Sequence, residues 1–241
     1  MGCNGVRVAI VSDFHGNLAA LDAVVADVER QSPDAVYHAG DLAHLGPRPA
    51  EVVDRIRELG WEGVTGNWDC IYNPGQAERI TSLPERNQKL FVPLLSWTQE
   101  RLGPERIDWL GRLPRVVTHP DFTLVHAGPN DLWTAPPRDT PDDTLIATYG
   151  EAGTPTVIYA HIHTPFVRQI GDQIIANTGS AGMPFDGDWR SSYLLLEDGI
   201  PSIQRVEYDI EREAADLRES GHPFPEWLEG VQRTGKFSVP E

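Results

Sequence analysis

The chain is poor in cysteine, has no long apolar run, shows no low-complexity tract and carries no surplus of positive charge. Each lack removes a class of protein. Of 241 residues only Cys3 and Cys70 are cysteines. Neither has metal-site or redox-motif spacing, so a disulfide framework is not expected. The apolar run from Val6 to Val11 is far too short for a membrane span or a signal-peptide core. The start Met1-Gly2-Cys3 hints at acylation, but a myristoylation motif wants Ser or Thr where Val6 stands. Cys3 therefore reads as an unmodified residue, and a cytoplasmic protein is expected. Lys and Arg number 20 against 36 Asp and Glu, a formal charge of −16. Such a surface repels nucleic acid and anionic lipid, so no membrane and no long nucleic acid is expected as a partner. It also repels a phosphorylated substrate, unless bound cations reverse the sign locally. No linker or internal repeat divides the chain. Residues 1–241 suit one large domain with a full core.

What is present is alternation. Val6 to Val11 is apolar and β-branched, which predicts a buried strand. A helix follows, capped by Asn17, with Leu18, Leu21, Val24, Val25 and Val28 on its apolar face. Ala35 to Ala39 is a second strand, Ala50 to Leu59 a second helix, and Glu62 to Thr65 a short third strand. Residues 72–113 read as a helical insert packing over the strand ends. Val116 to Thr118 with Phe122 to Val125, Val167 to Ile170 with Gln173 to Ala176, and Ser192 to Leu196 with Ile203 to Val206 read as hairpins. Pro155 to Ala160 is one more buried strand. Residues 210–241 form a C-terminal helical appendage, exposed from Pro225 onward. The expected class is α/β in a four-layer α+β arrangement: two packed mixed sheets flanked by helices. The first sheet should be built of parallel crossovers and the second mostly of hairpins.

Polar residues recur at the strand ends. The blocks are Ser12-Asp13-Phe14-His15-Gly16-Asn17, Gly40-Asp41, Gly66-Asn67-Trp68-Asp69, Val125-His126-Ala127-Gly128 and Ala160-His161-Ile162-His163. Asp13, His15, Asp41, Asn67, His126, His161 and His163 are metal-ligand types. Together they supply enough nitrogen and oxygen for two divalent ions sharing one carboxylate. Two such ions make a recurring clamp for phosphate-ester hydrolysis. Any one block alone is an ordinary turn or core histidine; their joint placement at strand ends points to a metal site. Oxygen and imidazole donors suit Mn²⁺, Fe, Ni²⁺, Co²⁺ or Zn²⁺ without selecting one.

These blocks resemble those of the calcineurin-like metallophosphoesterase superfamily over residues 6 to about 206. There the pattern is Asp-X-His, Gly-Asp, Gly-Asn-His-Asp/Glu, a lone His before a small-residue pair, and Gly-His-X-His. The resemblance implies a β-sandwich flanked by helices. It also implies one metal on Asp13, His15, Asp41 and His163, and a second on Asp41, Asn67, His126 and His161. Asp41 would bridge, Asn67 and His126 would serve catalysis as well, and a hydroxide between the metals would attack phosphorus in line. The implied substrate is a small phosphodiester or phosphomonoester such as a nucleotide; a homo-oligomer is left open.

Two departures stand out. Trp68 occupies the place of the family's histidine that protonates the leaving group, and an indole has no proton to give. His44 is a candidate replacement, or else an ordinary exposed loop histidine. Trp68 could stack on a substrate ring or pack under the insert. Asp69 could orient a neighbouring ligand. Ala160 replaces a glycine, a small change. His44-Leu45-Gly46 stands where protein phosphatases and symmetrical diadenosine tetraphosphate hydrolases have a phosphate-gripping arginine. The chain therefore looks more like the small prokaryotic phosphodiesterase-type members. Asn177 to Gly182 matches their glycine-rich C-terminal turn, which either shapes the site rim or is a plain tight turn. Arg48, Arg138 and Arg190 lie in loops and could meet phosphate. A catalytically weak binding scaffold is the competing reading, with a protein phosphatase as a third.

Overall fold

The computed structural model describes residues 6–240; Cys3 and the Met1-Gly2-Cys3 start lie outside them. In chain order the elements are β1 (Arg7–Val11), α1 (Leu18–Gln31), β2 (Ala35–His38), α2 (Pro49–Leu59), β3 (Glu62–Gly63), α3 (Asn67–Cys70), α4 (Glu78–Thr81), α5 (Glu85–Gly111), β4 (Val116–Thr118) and β5 (Phe122–Val125). They continue as α6 (Asp142–Tyr149), β6 (Thr156–Tyr159), β7 (Phe166–Ile170), β8 (Gln173–Asn177), β9 (Ser191–Glu197), β10 (Ile200–Val206), α7 (Ile210–Glu219) and α8 (Pro225–Thr234).

Two five-stranded sheets form, in the orders β10-β9-β1-β2-β3 and β4-β5-β6-β8-β7. Both are mixed, as expected, but the division of labour differs from the sequence reading. The hairpin β9–β10 joins the first sheet, antiparallel to β1, rather than the second. The second sheet has a parallel centre, β5-β6-β8, with antiparallel strands only at its edges. The reason is burial. Tyr193, Leu194, Leu195 and Leu196 of β9 are apolar on both faces, which suits the middle of a covered sheet.

The pleat of β1 shows the layering. Val8 and Ile10 face inward and join Leu194 and Leu196 against Phe122, Leu124, Ile158 and Ala176 of the second sheet. Ala9 and Val11 face outward under Leu21, Val24 and Val28 of α1 and Val52, Val53 and Ile56 of α2. On the far side, α6 covers Val125, Val157 and Tyr159 with Leu145 and Tyr149. The order is helix, sheet, sheet, helix, as the period-2 alternation of β1 requires.

In the insert, α5 runs as one long helix interrupted at Gly103-Pro104. Gly103 takes a left-handed φ of 65°, and Pro104 has no N–H for the preceding turn. Leu90, Phe91 and Leu94 of α5 share a cluster with Leu217 of α7 and Leu228 and Val231 of α8. This corrects the reading of the tail as exposed: the i, i+3 pair Leu228/Val231 is buried against the insert. Among the described residues no helix is long and apolar enough to cross a membrane.

The tail also holds a buried acid. Glu213 of α7 is fully buried and accepts one hydrogen bond, from Gln232 Nε2 at 2.9 Å, while its Oε2 has no partner. Burial pushes its carboxyl up to about 8, Gln232 and the nearby Arg212 and Arg48 opposing and Asp216 assisting. The folded value lies above the unfolded one. Stability is therefore unaffected below the ordinary Glu range and is lost as pH rises towards about 8. The loss grows at about 1.4 kcal/mol per pH unit, with an upper bound of about 5 kcal/mol. Glu213→Gln should raise the melting temperature by several degrees at pH 8.5 and by nothing measurable at pH 4.5. An equal effect at both pH values would show that ionisation is not the cause.

Candidate metal centre

The candidate ligands stand at the C-terminal edges of parallel strands from both sheets. Asp13 and His15 follow β1, Asp41 follows β2, Asn67 opens α3 after β3, His126 follows β5, and His161 and His163 follow β6. The loops are zipped together by backbone bonds: Asp13 N–H donates to Gly40 O at 2.9 Å, His15 N–H to Asp41 O at 3.0 Å and Ala160 N–H to His126 O at 2.9 Å. Asp13, His15, Asp41, His161 and His163 all have left-handed φ, between 49° and 67°. Non-glycine residues rarely adopt that region, and each such residue costs about 1–3 kcal/mol. Concentrating the strain here turns five side chains inward that regular strands would splay apart. The glycines before Asp41 and Asn67 are explained by crowding. A Cβ on Gly40 would collide with the backbone of Gly66, and one on Gly66 with the Asp41 carboxylate.

The side chains converge in two groups. Asp13, His15 and His163 form one and Asp41, His126 and His161 the other, with ligand atoms of each within 4.8 Å of one another. Asp41 lies between them: its Oδ2 is 3.4 Å from His126 Nε2 and 3.8 Å from His15 Nε2. Its Oδ1 is occupied by the backbone N–H of Trp68 at 2.9 Å. Asn67 Oδ1 lies 2.9 Å from both His126 Nε2 and His161 Nδ1.

Backbone carbonyls fix the histidine tautomers. His15 Nδ1 donates to His44 O (2.8 Å), His126 Nδ1 to Ala39 O (2.7 Å) and His163 Nδ1 to Met183 O (2.5 Å). Each of these three Nε2 atoms is thereby the ring nitrogen aimed into the site and the one left to ligate a metal. His15 Nε2 and His163 Nε2 face each other at 3.1 Å. Two lone pairs at that distance repel unless a cation sits between them. Protonation is the costly alternative, since burial and His163 push His15 down to about 4. Asp13 is fully buried with no hydrogen-bond donor on either oxygen, and a buried bare carboxylate is expensive. Metal–ligand bonds of about 2.1 Å put neighbouring ligand atoms about 3.0–3.4 Å apart. The spacings of 3.1 Å here and 3.3 Å between His163 Nε2 and Asp13 Oδ1 fit that edge.

Charge supports the same fit. Burial opposes ionisation of Asp41, but His126, His15 and His161 outweigh it and hold the carboxyl well below the usual range. Burial and His126 push His161 down to about 4, leaving it neutral. His126 goes the other way: Asp41 and Asp13 overcome burial and raise it to about 9. A metal ion taking His126 therefore displaces a proton, so binding tightens as pH rises.

The surrounding residues divide. Asn17 caps α1, accepting from Ala20 N–H at 2.8 Å, and its Nδ2 donates to Gly182 O at 3.1 Å, so it braces the site from behind. Asp69 accepts from the backbone N–H groups of Asp41, Leu42 and Gly66 at 2.7, 3.0 and 2.9 Å, which fixes the Asp41 loop. Burial and the Asp41 charge push its carboxyl up to about 7, with the backbone donors of Gly66 and Leu42 opposing the rise. Asn177 Nδ2 donates to Ala160 O at 2.7 Å and Ser180 Oγ to Asp13 O at 2.8 Å. The glycine-rich turn thus supports the ligand loops from outside the rim.

His44 is neither an exposed loop residue nor a group at the opening. It is fully buried, its Nδ1 shares a hydrogen bond with Tyr72 OH at 2.8 Å, and its ring stacks on Trp68 at 4.3 Å. Burial and His15 push it down to about 3. It stands behind Trp68 without a proton to give, which corrects its assignment as the acid. Arg48 is engaged by Asp216 and Arg190 by Asp188, so neither is free for phosphate. Arg138 shares a cavity with His161.

The opening over the candidate ligands encloses about 160 Å³ and is walled by Leu45, Trp68, Phe91, Met183, Phe185 and Phe237. Sequence reading missed all of these except Trp68. An apolar residue that lines a site carries the same pattern as one that fills a core, so no local signal marks it.

Residues 6–198 match the family model of the calcineurin-like phosphoesterase superfamily domain. An uncharacterized protein of Methanocaldococcus jannaschii is 29% identical over 244 residues, covering 92% of this chain and 95% of that one. Phosphodiesterase YfcE of Escherichia coli is 23% identical over 207 residues, 82% of this chain and 91% of its own. The crystal structure of a metallophosphoesterase from Sphaerobacter thermophilus matches with a TM-score of 0.79 and 30% identity, over 96% of this chain and 100% of that one.

Proposed function

The chain belongs to the calcineurin-like phosphoesterase superfamily and is a metal-dependent phosphoric ester hydrolase, and on that premise we propose that it hydrolyses small phosphodiesters or activated phosphomonoesters at a dinuclear centre. The observation that carries the reading is the position of Asp41 Oδ2, between the His15 group and the His126 group. Asp13, His15, Asp41 and His163 would hold one ion, and Asp41, Asn67, His126 and His161 the other. Two divalent ions bound there would supply Lewis acidity at the phosphoryl oxygens and would make water a competent nucleophile near neutral pH.

The chain's own residues do the rest. Carbonyls of His44, Ala39 and Met183 keep three imidazoles in the coordinating tautomer. Asp69 fixes the loop that presents Asp41. Trp68, Phe91 and Phe185 give the opening an apolar wall, a lining that disfavours water beside the reacting groups. Trp68 donates no proton, so the leaving group departs as an anion. Esters with acidic leaving groups are therefore the preferred class, and the phosphodiesterase relative is consistent with it.

The test is hydrolysis of bis-p-nitrophenyl phosphate and p-nitrophenyl phosphate by metal-stripped protein titrated with Mn²⁺, Ni²⁺, Zn²⁺ and Mg²⁺. Turnover should appear on adding a transition metal and saturate at two ions per chain. Tight binding of two ions with neither ester hydrolysed would overturn the reading in favour of a binding scaffold.

A further inference from the structure

Arginines in this acidic chain are mostly engaged: Arg48 by Asp216, Arg106 by Asp54 and Arg233 by Glu211. Among the described residues, Arg79, Arg115 and Arg138 make neither an ion pair nor a side-chain hydrogen bond, and all three gather around one indole. Arg79 stands over the Trp133 ring, 5.5 Å from its centroid. Arg79 and Arg115 line a cavity of about 310 Å³ of which Trp133 forms a wall. Arg138 lines the next cavity, which shares Trp133 with the first and His161 and Phe185 with the metal opening. The first two cavities therefore meet at Trp133, and the second meets the metal opening at His161 and Phe185. The arginine cavity also borders the metal centre from behind: Cys70 lines it and bonds to Asn67 O at 3.3 Å.

The charge balance in that cavity is positive. Its one carboxylate, Asp131, accepts from the Trp133 N–H at 2.9 Å and faces two guanidinium groups, with Asn73 and Gln76 as neutral donors. Leaving guanidinium groups unpaired in a chain of charge −16 makes sense where an anion is to be bound. Guanidinium forks match phosphate in shape and charge.

We propose that Arg79 and Arg115 form a subsite for a second phosphate group of a substrate whose scissile phosphate lies at the metal centre. The substrate class is then a small molecule carrying two separated phosphates, its body lying along Trp133 past Arg138. This rests on the phosphoesterase reading above.

The test compares thymidine 5′-(p-nitrophenyl phosphate) with its 3′-phosphorylated form, which differ by one phosphate and release the same phenol. Metal-loaded wild type should favour the 3′-phosphorylated substrate. The double variant Arg79→Gln/Arg115→Gln should lose about tenfold or more in kcat/KM on that substrate, mainly through KM. Its turnover of bis-p-nitrophenyl phosphate should be unchanged, which also reports an intact fold. Equal losses on both thymidine substrates, or no loss on either, would overturn the proposal. Calorimetric titration of metal-stripped protein with inorganic pyrophosphate gives a second readout: binding by wild type that the double variant lacks. If no ester is turned over by wild type, the hydrolase reading fails while the titration still decides on the anion subsite. If pyrophosphate changes bis-p-nitrophenyl phosphate turnover without competing against the 3′-phosphorylated substrate, the cavity is an effector site and the substrate assignment falls.

Discussion

Asp41→Asn should lower metal-dependent turnover of bis-p-nitrophenyl phosphate by at least about 10³-fold, several kcal/mol of transition-state stabilisation. Asparagine is the cleaner substitution because Asp41 has φ 53°, a region Asn tolerates and Ala does not. The loss follows from position. Among the described residues, Oδ2 is the one carboxylate oxygen within 4 Å of both histidine groups, and Oδ1 is already spent on Trp68 N–H. Removing the charge also removes the largest of the influences that raise His126 to about 9. A thermal scan separates metal loss from misfolding. Saturating Mn²⁺ should raise the wild-type melting temperature, since at 100 times Kd binding contributes about 2.7 kcal/mol. The variant should fold, yet show a much smaller rise. A variant that kept both turnover and the metal-induced rise would exclude Asp41 as the shared ligand.

Trp68→His should change the leaving-group dependence. In the wild type, rates should fall steeply from p-nitrophenyl to alkyl phosphodiesters, because no proton donor faces the departing oxygen. A histidine at this position, in the single turn of α3 and on the wall of the opening, should raise the alkyl-ester rate by about 10²-fold. The p-nitrophenyl rate should move little. As a general acid the new imidazole works only while protonated, so the gain should disappear as pH rises through its pKa. The cost is packing: Trp68 stacks on His44 at 4.3 Å and meets Phe91 at 5.0 Å and Trp133 at 5.6 Å. Truncating such a ring costs about 3 kcal/mol or more, so a lower melting temperature is expected alongside. Unchanged discrimination between the two ester classes would mean that Trp68 does not face the leaving group.

His44 shows what residue type alone cannot tell. Its chemistry and its place in the Gly40-Asp41 loop suit a proton donor. Burial, the bond to Tyr72 and the stack on Trp68 make it a support instead. The same holds for Arg48 and Arg190, loop arginines that Asp216 and Asp188 engage. Asp216 lies 168 residues from Arg48, so no local pattern could announce that pairing.

The sequence by itself determined the two-layer strand plan and the seven candidate ligands. The strand signal is local and periodic, and Asp13, His15, Asp41, Asn67, His126, His161 and His163 each sit beside a strand end in short blocks. Tertiary structure decided which sheet received β9 and β10, because both faces of β9 demanded cover. It decided that the tail packs through Leu228 and Val231, against residues from the insert far away in sequence. It also decided how the ligands meet. Left-handed backbone at five of them and carbonyl bonds that fix three imidazoles are products of loop crowding at the joined sheet edges. Convergence of lone pairs on a point is a property of the assembled loops, and no one segment carries it.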